Sequence, residues 1–248
     1  MKRKKKINIG SLAINVSFYR EKWIPFDPYT SYTRSYNDYF HLEMSDLLSG
    51  TLLDVGASGD NEEKYRSIGD FDRYVSLDIS ESETLDVLGD GRELPVFDES
   101  IDTVVLSAVL EHVPIQDVSN LVGETYRVLR EGGKAIAYIP FIYPLHLEPY
   151  DYYRLTVYGL ESIFSEKGFS VDVYAGGGLP ELILHSLFLP FSSIVDKLGV
   201  KAFRRLFVLP HVVMNGIAKL FGKAVDAKNV NSLFNEWYIG QFLVAEKT

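Results

Sequence analysis

The sequence predicts an open α/β fold, a mostly parallel sheet wound with helices on both faces. Three observations point there. Short apolar runs at 51–55, 73–78, 101–107, 134–140 and 169–174 alternate with stretches of helical periodicity. The first run passes directly into a turn containing Gly56 and Gly59, then into Asn61-Glu62-Glu63, which can open a helix. Acids close successive runs, Asp78 after the second and Asp90 after a short third run at 85–90. In such a sheet a ligand lies at the carboxyl ends of the strands, where the strand order reverses.

Each element has its own signal. Leu52, Leu53, Val55 and Ala57 suit a buried first strand, and a helix is expected over 61–68. Arg73–Asp78 is the second strand, 85–90 the third and Ile101–Ser107 the fourth. The clearest helix is 116–130, with Val118, Leu121, Val122, Thr125, Val128 and Leu129 on one face. Arg127 and Arg130 in its last turns suit the helix dipole, and Gly132-Gly133 is expected to end it. The fifth strand is 134–140, a helix follows at 157–167, and the sixth strand is 169–174.

Two regions flank this core. Residues 1–50 form an aromatic-rich cap with Phe18, Tyr19, Trp23, Phe26, Tyr29, Tyr32, Tyr36, Tyr39 and Phe40. Pro25 and Pro28 break any helix before about residue 29, and a helix is expected from Tyr32 to Leu48, ended by Gly50. This cap either packs its aromatics on the core or closes over a ligand as a lid. Lys2-Arg3-Lys4-Lys5-Lys6 reads as a solvated tail; no long apolar stretch follows it, so it does not read as a secretory signal. Residues 179–235 read as two or three amphipathic helices inserted before a last strand at 237–246.

Composition narrows the function. A chain of 248 residues with 46% hydrophobic and 24% charged residues suits one α/β domain with an insertion. The absence of cysteine excludes disulfides, thiolate catalysis and Cys-ligated metals, and fits a cytoplasmic protein. A net charge of −9 argues against a broad nucleic-acid-binding face.

Together the motifs resemble a class I S-adenosylmethionine-dependent methyltransferase, over about residues 50–175 and the terminal strand. Leu52-Leu53-Asp54-Val55-Gly56 resembles the family's first motif, and Gly89-Asp90-Gly91 the stretch that contacts adenine. Val109-Leu110-Glu111-His112-Val113 resembles the family's "LEH" turn, and Tyr126–Gly133 its "RVLKPGG" helix end. The resemblance implies a doubly wound, Rossmann-like, seven-stranded sheet whose last strand, 237–246, runs antiparallel between strands five and six. It implies S-adenosyl-L-methionine as cofactor. Asp54, Gly56, Ala57, Ser58 and Gly59 would lie at its methionine part. Asp78, with Ile79 beside it, would hold the ribose, and Asp90 and Gly91 the adenine; Ser107 completes the set. Ser58 and Asp60 stand where the family commonly has its second and third glycines. The domain limits are then 1–50 for the cap, 51–178 with 236–248 for the core and 179–235 for the insertion.

Acceptor chemistry is expected beyond strands four and five. The segment 140–156 is dense in Tyr, His, Asp and Arg between prolines and resembles an "HxxPxDYYRxT" segment of members associated with sugars and surface glycans. This implies O-methylation of a small molecule or a sugar or glycan hydroxyl. Imidazole can take a hydroxyl proton near neutrality, so His146 is the candidate base, with His112 second; the alternative is that His146 pins the loop by bonding Asp151 or the backbone. Tyr143, Asp151, Tyr152 and Arg154 are the candidate substrate contacts, although Arg154 can also pair with Asp151 or Glu148. Glu111, His112, His146 and Glu148 are potential metal ligands. Relatives with a metal carry Glu-x-x-Glu-His, and here Ala108 replaces the first Glu, so no metal is expected. The insertion either covers the pocket or a homodimer interface, or touches a membrane through Lys197, Lys201, Arg204, Arg205, Lys219 and Lys223. The competing function is a non-catalytic binding module, motivated by the altered glycine turn.

Overall fold

The computed structural model describes residues 6–9, 12–18, 45–57, 61–143, 145–176 and 240–248. The strands are β1 (Lys6–Ile9), β2 (Leu12–Phe18), β3 (Thr51–Val55), β4 (Arg73–Asp78), β5 (Val87–Leu88), β6 (Ile101–Ser107), β7 (Leu129–Pro140), β8 (Phe169–Gly176) and β9 (Gly240–Lys247). The helices are α1 (Asn61–Arg66), α2 (Val118–Val128) and α3 (Val157–Ser165), with single 3₁₀ turns at Ser45–Leu47 and Leu110–His112. The strands join in one sheet of order β1-β2-β8-β9-β7-β6-β3-β4-β5. Strands β3 to β8 run parallel, and β9 lies antiparallel between β7 and β8. The seven strands β3–β9 therefore have the predicted topology. The sheet order reverses at β3, which β4 and β6 flank.

The period of two along each strand splits its side chains between two cores. Leu53, Val55, Val104, Leu106, Ala135, Ala137 and Ile139 pack on one face with Leu121 and Val122 of α2 and Leu160 and Phe164 of α3. Leu52, Val105, Ile136 and Tyr138 point to the other face, against Leu48, Tyr65 and Phe71. Burial on both faces explains why these strands read as continuous apolar runs.

Three elements differ from expectation. Helix α2 stops at Val128, and Leu129 is extended, fully buried and paired with Ile101 of β6. Burying Leu129 in the sheet outweighs one more helical turn, so Arg130 and Gly132-Gly133 lie within β7. Gly132, at φ 74, takes a conformation that favours glycine. Arg127 bonds Glu124, Asp98 and the carbonyls of Leu94 and Val96, and so ties the 94–98 loop to the helix. Strand β5 is two residues rather than six, because the Asp86 carboxylate accepts from both Ser76 N and Ser76 Oγ at 2.9 Å and replaces ladder pairing there. At the N-terminus β1 and β2 extend the sheet, β2 pairing in parallel with β8. Lys6 thus belongs to a strand, not to a tail. The expected helix over 32–48 falls mostly outside the described residues; its last part is the Ser45–Leu47 turn. The 179–235 insertion, with its dimer and membrane readings, lies outside them entirely. Among the described residues no helix is long and apolar enough to cross a membrane.

Candidate active site

The carboxyl edge of the sheet carries two clusters. On the β3–β5 side, the chain turns out of β3 at Gly56, with φ 77. A Cβ there would stand 2.6 Å from Val109 Cγ2, so both conformation and space require glycine. The amides of Gly56 and Ala57 donate to Leu77 O at 2.8 and 3.1 Å, fixing the turn to the end of β4. Asp54 lies beneath this turn, 1% exposed, and its Oδ2 accepts from Tyr74 Oη at 2.8 Å and Asn61 Nδ2 at 3.1 Å. Burial pushes its carboxyl up to about 6, while the Tyr74 and Asn61 bonds work against that rise. Asp54 therefore braces the turn against the start of α1. Ser58 and Gly59 lie outside the described residues.

Asp78 ends β4, and its Oδ1 accepts from Ser80 N at 2.7 Å. Beside it the Ile79 side chain is 67% exposed, an apolar surface at the strand end. Asp90 is closely held: Arg92 Nε reaches both carboxylate oxygens at 3.0 Å, and Nη2 reaches Oδ2 at 2.6 Å. Arg92 holds the Asp90 carboxyl below its ordinary value and bridges on to Asp117 at 2.9 Å. An adenine amino group would share this carboxylate with Arg92. Gly91 is demanded by packing, since a Cβ would meet Leu121 Cδ1 at 2.5 Å.

The second cluster lies past β6 and β7. Ser107 ends β6, and Ala108 follows at φ 55, an uncommon conformation for a residue with a Cβ. This bend throws the chain into the Leu110–His112 turn. Glu111 there is fully buried, and neither carboxylate oxygen has a hydrogen-bond partner among the described residues. Burial pushes its carboxyl up to about 8. The loop after β7 folds back over it: Tyr152 N donates to Glu111 O at 3.0 Å, and Tyr153 Oη donates to Leu110 O at 2.7 Å.

This return brings His146 to His112, their rings edge-to-face with centroids 4.7 Å apart, and the Tyr143 ring stacks edge-on against His146. His112 Nε2 and His146 Nε2 lie 4.0 and 3.9 Å from Glu111 Oε1. His112 Nδ1 is 2.8 Å from Tyr150 O. Burial lowers the His112 pKa, more than the Tyr150 carbonyl raises it. His146 Nδ1 lies 3.1 Å from Asp151 Oδ2. Asp151 is also bound by both terminal nitrogens of Arg154, whose charge holds its carboxyl well below the usual range.

The structure thus gathers both expected catalytic histidines and corrects two expected substrate contacts. Asp151 has a 1% exposed side chain, and Arg154 is committed to it; the pair orders the loop and positions His146. Tyr152, 46% exposed, and Tyr143 remain at the surface of the cluster. Of the four potential metal ligands, the structure gathers Glu111, His112 and His146. The signal of Glu111 was visible in the order Glu111-His112, but its unpartnered state depends on the fold.

Comparisons with known proteins agree with this architecture. Residues 53–137 match the family model described as "Methyltransferase domain". A curated Mycolicibacterium smegmatis protein named "Probable S-adenosylmethionine-dependent methyltransferase" is 32% identical over 120 residues, 44% of this chain and 43% of that protein. The match therefore spans less than half the length of that relative. Among solved structures, an S-adenosylmethionine-dependent methyltransferase from Archaeoglobus fulgidus is 15% identical, with TM-score 0.54, over 87% of this chain and 96% of its own. Phosphoethanolamine N-methyltransferase 2 of Haemonchus contortus, in complex with S-adenosylmethionine, is 16% identical, with TM-score 0.52, over 85% and 52%. At these identities the two structures speak for the fold alone. The match confined to residues 53–137, together with the strand order and the antiparallel β9, identifies a methyltransferase domain of the class I S-adenosylmethionine-dependent type within this chain.

Proposed function

We propose that this chain transfers a methyl group from S-adenosylmethionine to a hydroxyl oxygen of a small molecule or of a sugar or glycan. The observation that carries the reading is the pairing of two clusters on one sheet edge, a cofactor-type turn at Gly56–Asp78 and a histidine-rich acceptor cluster at 111–154. The residues present fit the cofactor. The Gly56 turn is pinned to β4, Asp78 stands at the strand end with Ile79 exposed beside it, and Asp90 lies in the turn after β5. When bound, S-adenosylmethionine supplies a methyl on a sulfonium, open to in-line displacement by the acceptor oxygen. Asp78 would accept hydrogen bonds from the ribose diol, and the exposed Ile79 would offer an apolar surface beside it. His146 receives the acceptor's hydroxyl proton at Nε2, and Asp151 at Nδ1 keeps that ring oriented. His112 and Tyr143 wall the ring on its two sides.

Calorimetric titration with S-adenosylmethionine and S-adenosylhomocysteine, with NAD as control, tests the first half. Micromolar binding of the first two alone is expected, and failure of both to bind overturns the reading. Asp78→Ala should weaken binding roughly tenfold to a hundredfold, from the ~1.5–3 kcal/mol carried by hydrogen bonds to a charged group. Transfer of labelled methyl to a panel of sugar, phenol and amine acceptors tests the second half; label on amines only would replace the hydroxyl assignment.

A further inference from the structure

We propose that Glu111, His112 and His146 bind a divalent transition-metal ion, with an open position that takes the acceptor's oxygen. The second half of this inference rests on the methyltransferase reading above; the ion site itself does not.

The argument starts from lone pairs. Tyr150 O can only accept, so the 2.8 Å contact places the hydrogen of His112 on Nδ1. Its Nε2 is then a lone pair, buried and without a hydrogen-bond partner. His146 is held differently: its Nδ1 lies 3.1 Å from the Asp151 carboxylate but out of line for a hydrogen bond, and its Nε2 lies 3.9 Å from Glu111 Oε1. The third party is a fully buried carboxylate with no donor on either oxygen. One donor atom from each residue lies within 4.8 Å of the others. Two imidazole nitrogens and a carboxylate that no protein donor reaches converge on one point, the donor set that a cation completes.

A shared proton does not match the spacing. A carboxyl–imidazole hydrogen bond draws its atoms to about 2.8 Å, whereas Glu111 Oε1 stands 3.9 and 4.0 Å from the two nitrogens. An ion with ligand bonds of about 2.0–2.1 Å holds tetrahedral neighbours about 3.4 Å apart. Small side-chain rotations close that difference. Two imidazoles and one carboxylate select a transition metal over Mg²⁺ or Ca²⁺, and three protein ligands leave a position for water or substrate. The Tyr150 carbonyl and Asp151 are the outer partners that metal-bound histidines require. His146 is 25% exposed on its side chain, so the open side is approachable. The sequence-level expectation of no metal rested on Ala108. The fold brings His146, one of the four potential ligands, beside Glu111 and His112 without any acid at position 108.

With the ion bound, the His146 Nε2 lone pair would be spent on coordination, so the ion would replace His146 as the group that ionises the acceptor hydroxyl. The hydroxyl oxygen coordinates, its proton passes to solvent, and the oxygen attacks the methyl carbon. The carbon–sulfur bond breaks, and sulfur leaves with the electron pair as the thioether.

The test uses untagged, chelator-stripped full chain titrated with Zn²⁺ by calorimetry and with Co²⁺ by visible absorption. One equivalent bound, with intense d–d bands from a site of low symmetry, is expected. H112A and H146A should each weaken binding at least a hundredfold, and D151N about ten- to a hundredfold. E111Q, which keeps the shape and removes a buried charge, should fold and bind Zn²⁺ at least tenfold more weakly. Absence of stoichiometric binding, or equal binding by H112A, overturns the ion. S-adenosylhomocysteine binding measured on the same samples separates the readings. Undiminished methyl transfer by the stripped protein removes the ion's role in acceptor activation while leaving the methyltransferase assignment standing.

Discussion

Two buried carboxylates, Asp54 and Glu111, occupy equivalent places in the chain's logic and meet opposite fates. Asp54 closes β3 and is 1% exposed; Glu111 follows the end of β6 and is fully buried. Burial raises both carboxyls, to about 6 and about 8. Asp54 receives two hydrogen bonds, from Tyr74 and Asn61, and so serves the architecture of the glycine turn. Glu111 receives none and faces two imidazole lone pairs. A buried charge whose partners all come from the protein reads as scaffold. One whose partners are missing reads as a site awaiting something else.

Mutations can break this contrast, starting on the Glu111 side. His146→Ala should lower turnover about 10²–10⁴-fold while cofactor affinity stays within about threefold. Steady-state kinetics beside calorimetry check this, and an equal loss of cofactor affinity would move His146 out of the acceptor cluster. The Asp54 side is read in pH. Between 3.8 and about 6 the folded state holds a proton on Asp54 that the unfolded chain has released. Stability therefore falls as pH rises through that window and is flat above it, by roughly 3 kcal/mol in all. Asp54→Asn should remove that slope, so the difference between the two denaturant-unfolding curves against pH isolates this group. Next come paired changes of opposite sign. Tyr74→Phe should destabilise the protein at neutral pH by ~1.5–3 kcal/mol, because it takes a donor from a buried carboxylate. Glu111→Gln should stabilise the metal-free protein by ~1–2 kcal/mol, because it removes an unpaired buried acid. A stabilising Tyr74→Phe would erase the distinction drawn between the two acids. The smallest effect is expected at Arg130, half exposed and paired with Asp102 at 2.7 Å. Arg130→Ala should cost about 0.2–1 kcal/mol, as surface pairs do.

Much of the core was legible because burial on both faces of a parallel sheet leaves a strong local imprint. Strands 51–55, 73–78 and 101–107 have the boundaries the sequence predicts. The misplaced boundaries occur where a long-range contact competes with local pattern. Leu129 continues the helical periodicity of α2, yet its pairing with Ile101 lies 28 residues away in the chain and no local signal records it. The shortening of β5 has the same origin, a side chain from residue 86 occupying the backbone of residue 76. The extra strands β1 and β2 do leave a local imprint, apolar residues alternating at Ile7 and Ile9 and at Leu12, Ile14, Val16 and Phe18, but their place in the sheet depends on the pairing of β2 with the distant β8.

The candidate site divides along the same line. Gly56, Asp78 and Asp90 could be named in advance because a turn and two strand ends fall at fixed offsets along a βαβ pattern. The sequence also determined the presence of His112, His146, Asp151 and Arg154, but not their relations. Hydrogen bonds at 2.8 Å to Tyr150 O and contacts near 4 Å to Glu111 depend on the loop after β7 folding back on the turn after β6. That return is a tertiary event, held by Tyr153 on Leu110 O and Tyr152 N on Glu111 O. Local sequence encodes which groups are available and roughly where the chain turns. Only packing across thirty to forty residues decides which lone pairs meet and which buried acid is left without a donor.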